Sequence, residues 1–300
     1  MIVGVVGAGA LGTIFGVSLG TQATVRVLTR DRAAAEAIER RAQLAPSGAL
    51  QLTSATHDAA TFADVDVVVV AVKANQTVGA LRPLREVLRR ETTIVSIQNG
   101  ILAARHIGEA LGEVRPVVLA PTTEGGIVLG PGTVRRIGTG MTTLGWARGR
   151  GSGDLAPLRD LLIASGLHAR VAAPIEPHVW AKLIANAAIN PLTAIAGVPN
   201  GAVAEYPELR ERAAAIAREA AAVAAAHDVT LPYDDPVAHV FTVARATAEN
   251  RSSMLQDLER GRPTEIDAIN GAIAELGRAL GISTPHNDRA LDEVRRRTNA

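Results

Sequence analysis

Residues 2–12 read Ile2-Val-Gly-Val-Val-Gly7-Ala8-Gly9-Ala10-Leu11-Gly12. The apolar run predicts a strand, and the glycines predict a tight turn that opens directly into a helix. In this strand–turn–helix context the glycine spacing is a dinucleotide-binding fingerprint, because backbone N–H groups at a helix N-terminus can hold a pyrophosphate. FAD would use the same fingerprint, although the chain carries no further flavin signature. The candidate cofactor-binding residues here are Gly7, Ala8, Gly9, Ala10, Leu11 and Gly12.

Strand-like and helix-like segments alternate through the first half of the chain. Residues 24–28, 67–72 and 93–97 are β-branched strands, and helical patterns lie between them. This alternation is typical of a Rossmann-type, doubly wound parallel sheet with helices on both faces. Between residues 125 and 146, short β-prone pieces around Gly130-Pro-Gly132 predict antiparallel hairpins that extend the sheet.

The second half loses the strand pattern after Ala173-Pro174. Helical patterns cover residues 176–195, 208–227, 236–258 and 264–280, followed by a shorter helix near the C-terminus. We therefore expect an α/β protein with a dinucleotide-binding domain at residues 1–173 and an all-helical substrate and catalytic domain at residues 174–300.

Composition excludes several classes of function. Thirty-one basic and 30 acidic residues give a formal charge of +1, which disfavours nucleic acid and anionic membranes as partners. The chain has no cysteine, which fits the cytoplasm and excludes thiolate sites, and its seven histidines show no metal-ligand spacing. The longest apolar stretch, residues 65–72, is too short to span a bilayer. Alanine-rich helix faces would suit a homodimer.

Lys182, Asn186 and Asn190 recur every four residues in the segment 180–190. At helical spacing they line one face, while apolar residues occupy the other directions. A buried lysine must find a partner or lower its pKa, so this face suits a site for a small oxyacid. The alternative is that Lys182 reaches water and both amides lie on a wet surface.

Predicted strand ends carry further candidates. Thr29-Arg30-Asp31 follows the second strand, where an acid would favour NAD(H); because Arg30 can pair with a 2′-phosphate, we expect NADP(H). Asp31 lies close enough to leave NAD(H) open, and Arg30 can also be a solvated charge. Lys73 and the segment Gln98-Asn99-Gly100 follow two other strands. Because ligands of such sheets bind at the carboxyl ends of the strands, we expect these residues to line the cofactor crevice. The alternative is that both segments are ordinary turns.

Two later segments show polar patterns. Asn250, Ser253 and Asp257 fall at i, i+3 and i+7, which predicts a polar stripe on one helical face. Pro263-Thr264-Glu265 predicts a helix start with Glu265 in its first turn. Taken alone, each pattern is also typical of a cap or a solvated face.

Taken together, these segments resemble the ketopantoate reductase family. The matching residues are Gly7–Gly12, Lys73-Ala, Asn99-Gly100, Trp180-Ala-Lys-Leu183, Asn186, Ile189-Asn-Pro-Leu-Thr-Ala-Ile195, Pro199-Asn-Gly201, Ala246-Thr-Ala-Glu-Asn250, Ser252-Ser-Met-Leu-Gln-Asp257, Thr264-Glu-Ile-Asp267 and Ile269-Asn-Gly271. The resemblance implies NADPH-dependent reduction of ketopantoate (2-dehydropantoate) to pantoate, in pantothenate and coenzyme A synthesis.

The resemblance also implies roles for individual residues. Lys182 matches the proton donor, and Lys73 and Glu265 match residues at the junction of cofactor and substrate. The matching or candidate substrate contacts are Asn99, Asn186, Asn190, Asn200, Asn250 and Ser253, and Asn99 is also a candidate cofactor contact. Gly126 is a candidate backbone contact to the cofactor, in a loop that departs from the expected Gly-Thr-Thr-Thr form. A reductase of another branched 2-keto acid and a non-catalytic NADP-binding sensor are the competing hypotheses.

Overall fold

The structure is a computed structural model that describes residues 1–41 and 47–298. The chain folds into two compact units. The first consists of Met1–Gln98 and Ala103–Ile175, and the second consists of Asn99–Leu102 and the chain from Glu176 onward. The short segment Asn99–Leu102 therefore belongs to the same unit as helices that follow it by more than 70 residues. The single domain boundary predicted after residue 173 does not account for this segment.

The described residues of the first unit form ten strands in two sheets. The strands are β1 (Ile2–Val6), β2 (Thr24–Leu28), β3 (Leu50–Gln51), β4 (Val67–Val70), β5 (Thr93–Ser96), β6 (Val117–Leu119), β7 (Gly126–Gly130), β8 (Thr133–Arg136), β9 (Met141–Trp146) and β10 (His168–Val171). The larger sheet has seven strands in the order β10-β9-β6-β5-β4-β1-β2. Strands β2, β1, β4, β5 and β6 are parallel, so the predicted Rossmann-type sheet is confirmed.

Alternate residues of the central strands pack in two hydrophobic cores, one on each face of the sheet. Val67 and Val69 pack in one core, and Val68 and Val70 pack in the other. In the described part of this unit the α-helices are α1 (Ala10–Leu19), α2 (Arg32–Arg41), α3 (Thr77–Leu81), α4 (Ala103–Leu111) and α5 (Ala156–Ala164). Both faces of β4 are therefore buried, which explains why its sequence is a continuous run of valine rather than an alternation.

The predicted hairpin region divides between the two sheets. Strand β9 extends the large sheet by pairing antiparallel with β6. The β7–β8 hairpin instead pairs through β8 with β3, and these strands make a separate three-stranded sheet. The expectation that the hairpins extend one sheet is therefore wrong for β7 and β8, because their edge partner is a two-residue strand from residues 50–51.

The second unit is helical. Its helices are α6 (Glu176–Ala196), α7 (Ala202–Glu205), α8 (Pro207–Ala226), α9 (Pro236–Ala246), α10 (Ser253–Glu259), α11 (Ala272–Leu280) and α12 (Pro285–Thr298). The helix predicted at residues 236–258 is two helices, because the hydroxyl of Ser252 accepts from Leu255 N and begins α10 anew. Asn250, Ser253 and Asp257 therefore do not form a stripe on one helix, since Asn250 lies in the preceding loop. The C-terminal helix, expected to be shorter than the other predicted helices, runs for 14 residues.

Helix α6 is the core helix of this unit. It packs against α8, α9, α10 and α12, and 14 of its residues are buried. Its length of 21 residues and mean hydropathy of 1.2 would suffice to cross a membrane, so the expectation that no segment is long enough is wrong. However, 78% of the apolar part of this helix is buried inside the protein, which is typical of a core helix.

Candidate active site

The glycine turn after β1 leaves the N-terminus of α1 open. Gly9 caps the helix without a side-chain hydrogen bond, and a Cβ at Gly9 would meet no atom within 4 Å. A Cβ at Gly12, by contrast, would lie 1.9 Å from the carbonyl oxygen of Gly7. Gly12 is thus required for packing of the turn, whereas Gly9 borders space that a pyrophosphate can occupy. The first N–H groups of α1 face no capping side chain, so the turn fits a dinucleotide phosphate.

The tip of β2 carries Thr29, Arg30 and Asp31. Oδ1 of Asp31 accepts from Ala34 N (2.8 Å) at the start of α2, and its Oδ2 accepts from Nε of Arg30 (3.0 Å). The pKa of Asp31 lies below its usual value, chiefly because of the Ala34 hydrogen bond. Asp31 thus acts as a helix cap, while the Arg30 side chain is 87% exposed.

Lys73 and Gln98 follow neighbouring parallel strands, so they lie at the same edge of the sheet. Lys73 caps a 3₁₀ turn at Ala74–Gln76. Nε2 of Gln98 donates to Val72 O and to Oγ1 of Thr77, both at 2.7 Å. Gln98 therefore ties the end of β5 to the loop that carries Lys73, which is a structural role.

Gly126 begins β7 and is enclosed by protein. A Cβ there would lie 2.5 Å from Cγ1 of Val134 and 3.1 Å from Cδ1 of Ile14. Packing of the hairpin against α1 thus explains the glycine without a ligand. The preceding loop is held by Glu124, whose fully buried carboxylate accepts from Arg136 and from Gly140 N (3.0 Å).

Helix α6 brings Lys182, Asn186 and Asn190 onto one face, as their spacing predicts. Lys182 and Asn186 are half-buried, and Asn190 is 7% exposed. Burial lowers the pKa of the Lys182 ammonium to about 8, against a smaller opposing effect from the negative charge of Glu265. A lysine with this pKa holds a proton at neutral pH and releases it readily.

A chain of hydrogen bonds links this face to two other segments of the second unit. Nδ2 of Asn186 donates to Oδ1 of Asn99 (3.4 Å), and Nδ2 of Asn99 donates to Oε2 of Glu265 (2.9 Å). Since Asn99 and Glu265 are 166 residues apart, the fold rather than local sequence joins them. Lys182, Asn186, Asn99 and Glu265 form what we call the lysine cluster.

Glu265 lies just before a helical segment rather than inside its first turn. A π-helical turn, Asp267–Gly271, precedes α11, and Ala268 N and Ile269 N donate to the carbonyl of Glu265 at 3.0 and 3.1 Å. The predicted helix start at Pro263 and Thr264 is therefore displaced. Gly100, with a φ of +87°, approaches this turn so closely that a Cβ would lie 2.5 Å from Ala268 O.

The other predicted substrate contacts lie in a second group. Nδ2 of Asn200 donates to Oγ1 of Thr247 (3.0 Å), and its backbone N donates to Asn250 O (2.9 Å). Oδ1 of Asn200 is buried and has no hydrogen-bond partner among the described residues. Asn250 and Ser253 are exposed, and Ser253 is the first residue of α10.

Sequence reasoning missed the link between this second group and α6. Oγ1 of Thr193 donates to Oγ of Ser252 at 2.8 Å, one residue before Ser253. Both hydroxyl-bearing residues are buried. The Ser-Ser pair at 252–253 was the available signal, because a serine directly before an apolar helical pattern is a typical N-cap.

Both parts of the chain match one protein family. Residues 3–149 match the family described as "Ketopantoate reductase PanE/ApbA", and residues 174–298 match "Ketopantoate reductase PanE/ApbA C terminal". A 2-dehydropantoate 2-reductase from Archaeoglobus fulgidus is 36% identical over 296 residues, which are 97% of this chain and 96% of the relative. The corresponding protein from Vibrio cholerae is 35% identical and covers 78% of each chain.

Solved structures show the same fold. A PanE/ApbA family ketopantoate reductase from Ralstonia eutropha JMP134 has a TM-score of 0.87 and 29% identity, with 100% of this chain and 99% of that chain covered. D-Mandelate dehydrogenase in complex with NADH and anilino(oxo)acetate has a TM-score of 0.89 and 25% identity over the same shares. The fold is thus shared by one protein named for a 2-keto acid and one named for a different 2-hydroxy acid.

Proposed function

Because the chain belongs to the ketopantoate reductase family, we propose that it reduces 2-dehydropantoate to pantoate with a nicotinamide cofactor, in pantothenate and coenzyme A biosynthesis. In this proposal residues 1–173 bind the dinucleotide. Residues 174–300, together with Asn99, bind the keto acid and supply the proton.

The single observation that carries the proposal is Lys182 in the lysine cluster. Reduction of a ketone places negative charge on its oxygen, which an ammonium can polarise and then protonate. With its pKa lowered to about 8, Lys182 is mostly protonated at neutral pH and is a stronger acid than an exposed lysine. We therefore expect turnover in the reductive direction to fall as pH rises through about 8.

Neutral amides suit the rest of the substrate site. The amides of Asn186, Asn190 and Asn99 can orient the carboxylate and hydroxyl groups of the keto acid without adding charge beside Lys182. In the second group, Oδ1 of Asn200 is buried and has no hydrogen-bond partner in the part of the chain that the structure describes. It can accept from a substrate hydroxyl, next to Asn250, and Ser253 is a further proposed contact. Glu265 holds Asn99 and supports the protonated form of Lys182.

The cofactor supplies the hydride when bound. Gly7, Ala8, Gly9, Ala10, Leu11 and Gly12 would hold its pyrophosphate, and Lys73, Asn99, Glu265 and the Gly126 backbone are further proposed contacts. We propose NADP(H) over NAD(H), because Asp31 is engaged as a cap while Arg30 is exposed beside it. The NADH complex of the structurally similar D-mandelate dehydrogenase makes NADH the necessary comparison.

An absorbance assay tests these proposals. Purified protein is mixed with NADPH or NADH and a panel of 2-keto acids that includes ketopantoate, a smaller branched acid and an aromatic acid. We expect oxidation of NADPH with the highest kcat/KM for ketopantoate. A different best substrate would favour the reductase of another 2-keto acid, and cofactor binding without turnover of any acid would favour a sensor.

A further inference from the structure

Helix α6 contains a proline next to its candidate substrate-binding face. Pro191 directly follows Asn190 and lies inside the helix. Because proline has no backbone N–H, the carbonyl four residues earlier, Ala187 O, loses its helical donor. Ala187 is 0% exposed and follows Asn186, so its carbonyl needs another donor from within the protein.

The side chain of Asn270 provides that donor. Its Nδ2 donates to Ala187 O and to Oδ1 of Asn287, both at 3.1 Å. Since both neighbours are acceptors, the amide nitrogen must face them. Asn287 is anchored in turn, because its Nδ2 donates to Oε2 of Glu219 (2.8 Å) and to Ile216 O (3.2 Å) on α8.

Asn270 also lies close in sequence to the lysine cluster. It belongs to the π-helical turn Asp267–Gly271, whose first N–H groups bond the carbonyl of Glu265. Asn270 and Asn287 are both 0% exposed. One buried side chain therefore connects the Glu265 segment to α6, between the turns that carry Lys182 and Asn190.

We propose that Asn270 is a positioning residue that sets the Glu265 segment against Lys182 and Asn186, by bonding the carbonyl that Pro191 leaves open. Its effect on turnover rests on the proposed function, whereas its effect on the geometry of the lysine cluster does not. The pair Pro191 and Asn270 then acts as a unit: the proline opens a hydrogen-bonding position on α6, and the asparagine fills it from the π-helical turn.

Asn270→Ala is the direct test. We expect kcat to fall roughly 10- to 100-fold, as expected for a misplaced catalytic group. Val240→Ala is the control, since Val240 is a 0% exposed residue in the hydrophobic core of the same helical unit, and its replacement should affect stability and not kcat.

Pro191→Ala tests the mechanism of the effect. Alanine restores an N–H at position 191 that can donate to Ala187 O, so Asn270→Ala should cost much less kcat in the Pro191→Ala background. This comparison also covers the case in which Asn270→Ala alone does not fold. If Asn270→Ala lowers kcat equally in both backgrounds, or leaves it unchanged, the proposal is overturned.

A measurement without substrate separates this inference from the proposed function. Competitive acetylation followed by peptide mass spectrometry gives the pKa of Lys182 in each variant. Because Glu265 raises that pKa, Asn270→Ala and Glu265→Gln should both shift it downward, and Val240→Ala should not. An unchanged pKa in Asn270→Ala contradicts the inference, whereas a wild-type protein that reduces no 2-keto acid contradicts the proposed function alone.

Discussion

Lys182 places the requirements of folding and of chemistry in conflict. Burial lowers its pKa from 10.5 to about 8, because the folded protein holds the ammonium less favourably than water does. The same lowered pKa makes it a better proton donor near neutral pH. A residue of this kind is expected to reduce stability while it increases turnover.

Lys182→Met makes that conflict measurable. The unfolded chain keeps its proton up to about pH 10.5 and the folded chain only to about pH 8, so between these values the unfolding free energy of the wild type rises with pH. We therefore expect the variant to be more stable than the wild type below about pH 8, with an advantage that shrinks toward pH 10.5. Urea unfolding at several pH values measures the difference.

The same variant should lose turnover by several orders of magnitude while it binds NADPH normally. Glu176→Gln is a suitable control, because Glu176 starts the same helix and lies outside the lysine cluster. Turnover within about tenfold of the wild type, or a stability difference independent of pH, would contradict the assignment of Lys182 as a proton donor whose pKa the fold lowers.

Arg30 tests the choice of cofactor. If its guanidinium pairs with the 2′-phosphate, Arg30→Ala should raise KM for NADPH by about tenfold or more and leave KM for NADH nearly unchanged. Arg32→Ala removes a second exposed arginine and serves as the control. Equal changes for both cofactors, or equal effects of the two variants, would show that Arg30 does not select NADPH.

The residues of the lysine cluster differ in how far sequence could predict them. Helical spacing alone placed Lys182, Asn186 and Asn190 on one face, and the structure confirms this. The hydrogen bond from Asn99 to Glu265 joins residues 166 positions apart, and no local periodicity encodes such a contact. The hydrogen bond from Asn270 to Ala187 O was missed for the same reason. Pro191 does indicate in the sequence that Ala187 O needs a donor from outside the helix.

At the scale of single elements, the strands were predicted closely and the helix ends less well. A β-branched strand buried on both faces has a composition that few other segments share. The break between α9 and α10 depends on one hydroxyl, Ser252, and the π-helical turn before α11 depends on contacts made by Gly100 and Asn270. These contacts, one local and the others between distant parts of the chain, outweigh the apolar pattern that continues through both positions.

The start of α1 allows binding to be separated from folding. Gly9 has a φ of −76°, and a Cβ there meets no protein atom within 4 Å. We expect Gly9→Ala to fold with unchanged or slightly higher stability and to raise the Kd for NADPH, because the methyl group enters the space of the pyrophosphate. Calorimetric titration with NADPH and thermal unfolding measure the two effects.

Gly12→Ala is the contrasting variant. Its Cβ would lie 1.9 Å from Gly7 O, so it should lower stability as well as cofactor affinity. If Gly9→Ala loses stability in the same way, or binds NADPH as the wild type does, the assignment of open space at Gly9 to a phosphate is wrong.

At the scale of the whole molecule, the two units are not two continuous halves of the sequence. Ile101 lies between β5 and α4 of the first unit, yet it packs against the hydrophobic core of the second. Ile107, six residues later, is 0% exposed in a core of the first unit. Two isoleucines in one short stretch of sequence thus contribute to different units.

Ile101→Ala and Ile107→Ala should therefore destabilise different parts of the protein. We expect Ile107→Ala to cost about 2–5 kcal/mol and Ile101→Ala less, because Ile101 is only partly buried. Hydrogen exchange followed by mass spectrometry should show faster exchange in α6 and α8 for Ile101→Ala, and in β4 and β5 for Ile107→Ala. Since Asn99 and Gly100 precede Ile101, its variant should also weaken the lysine cluster and lower kcat, whereas Ile107→Ala should retain kcat in the folded fraction. Identical exchange patterns in the two variants would mean that the units do not open independently, and would contradict the assignment of Asn99–Leu102 to the helical unit.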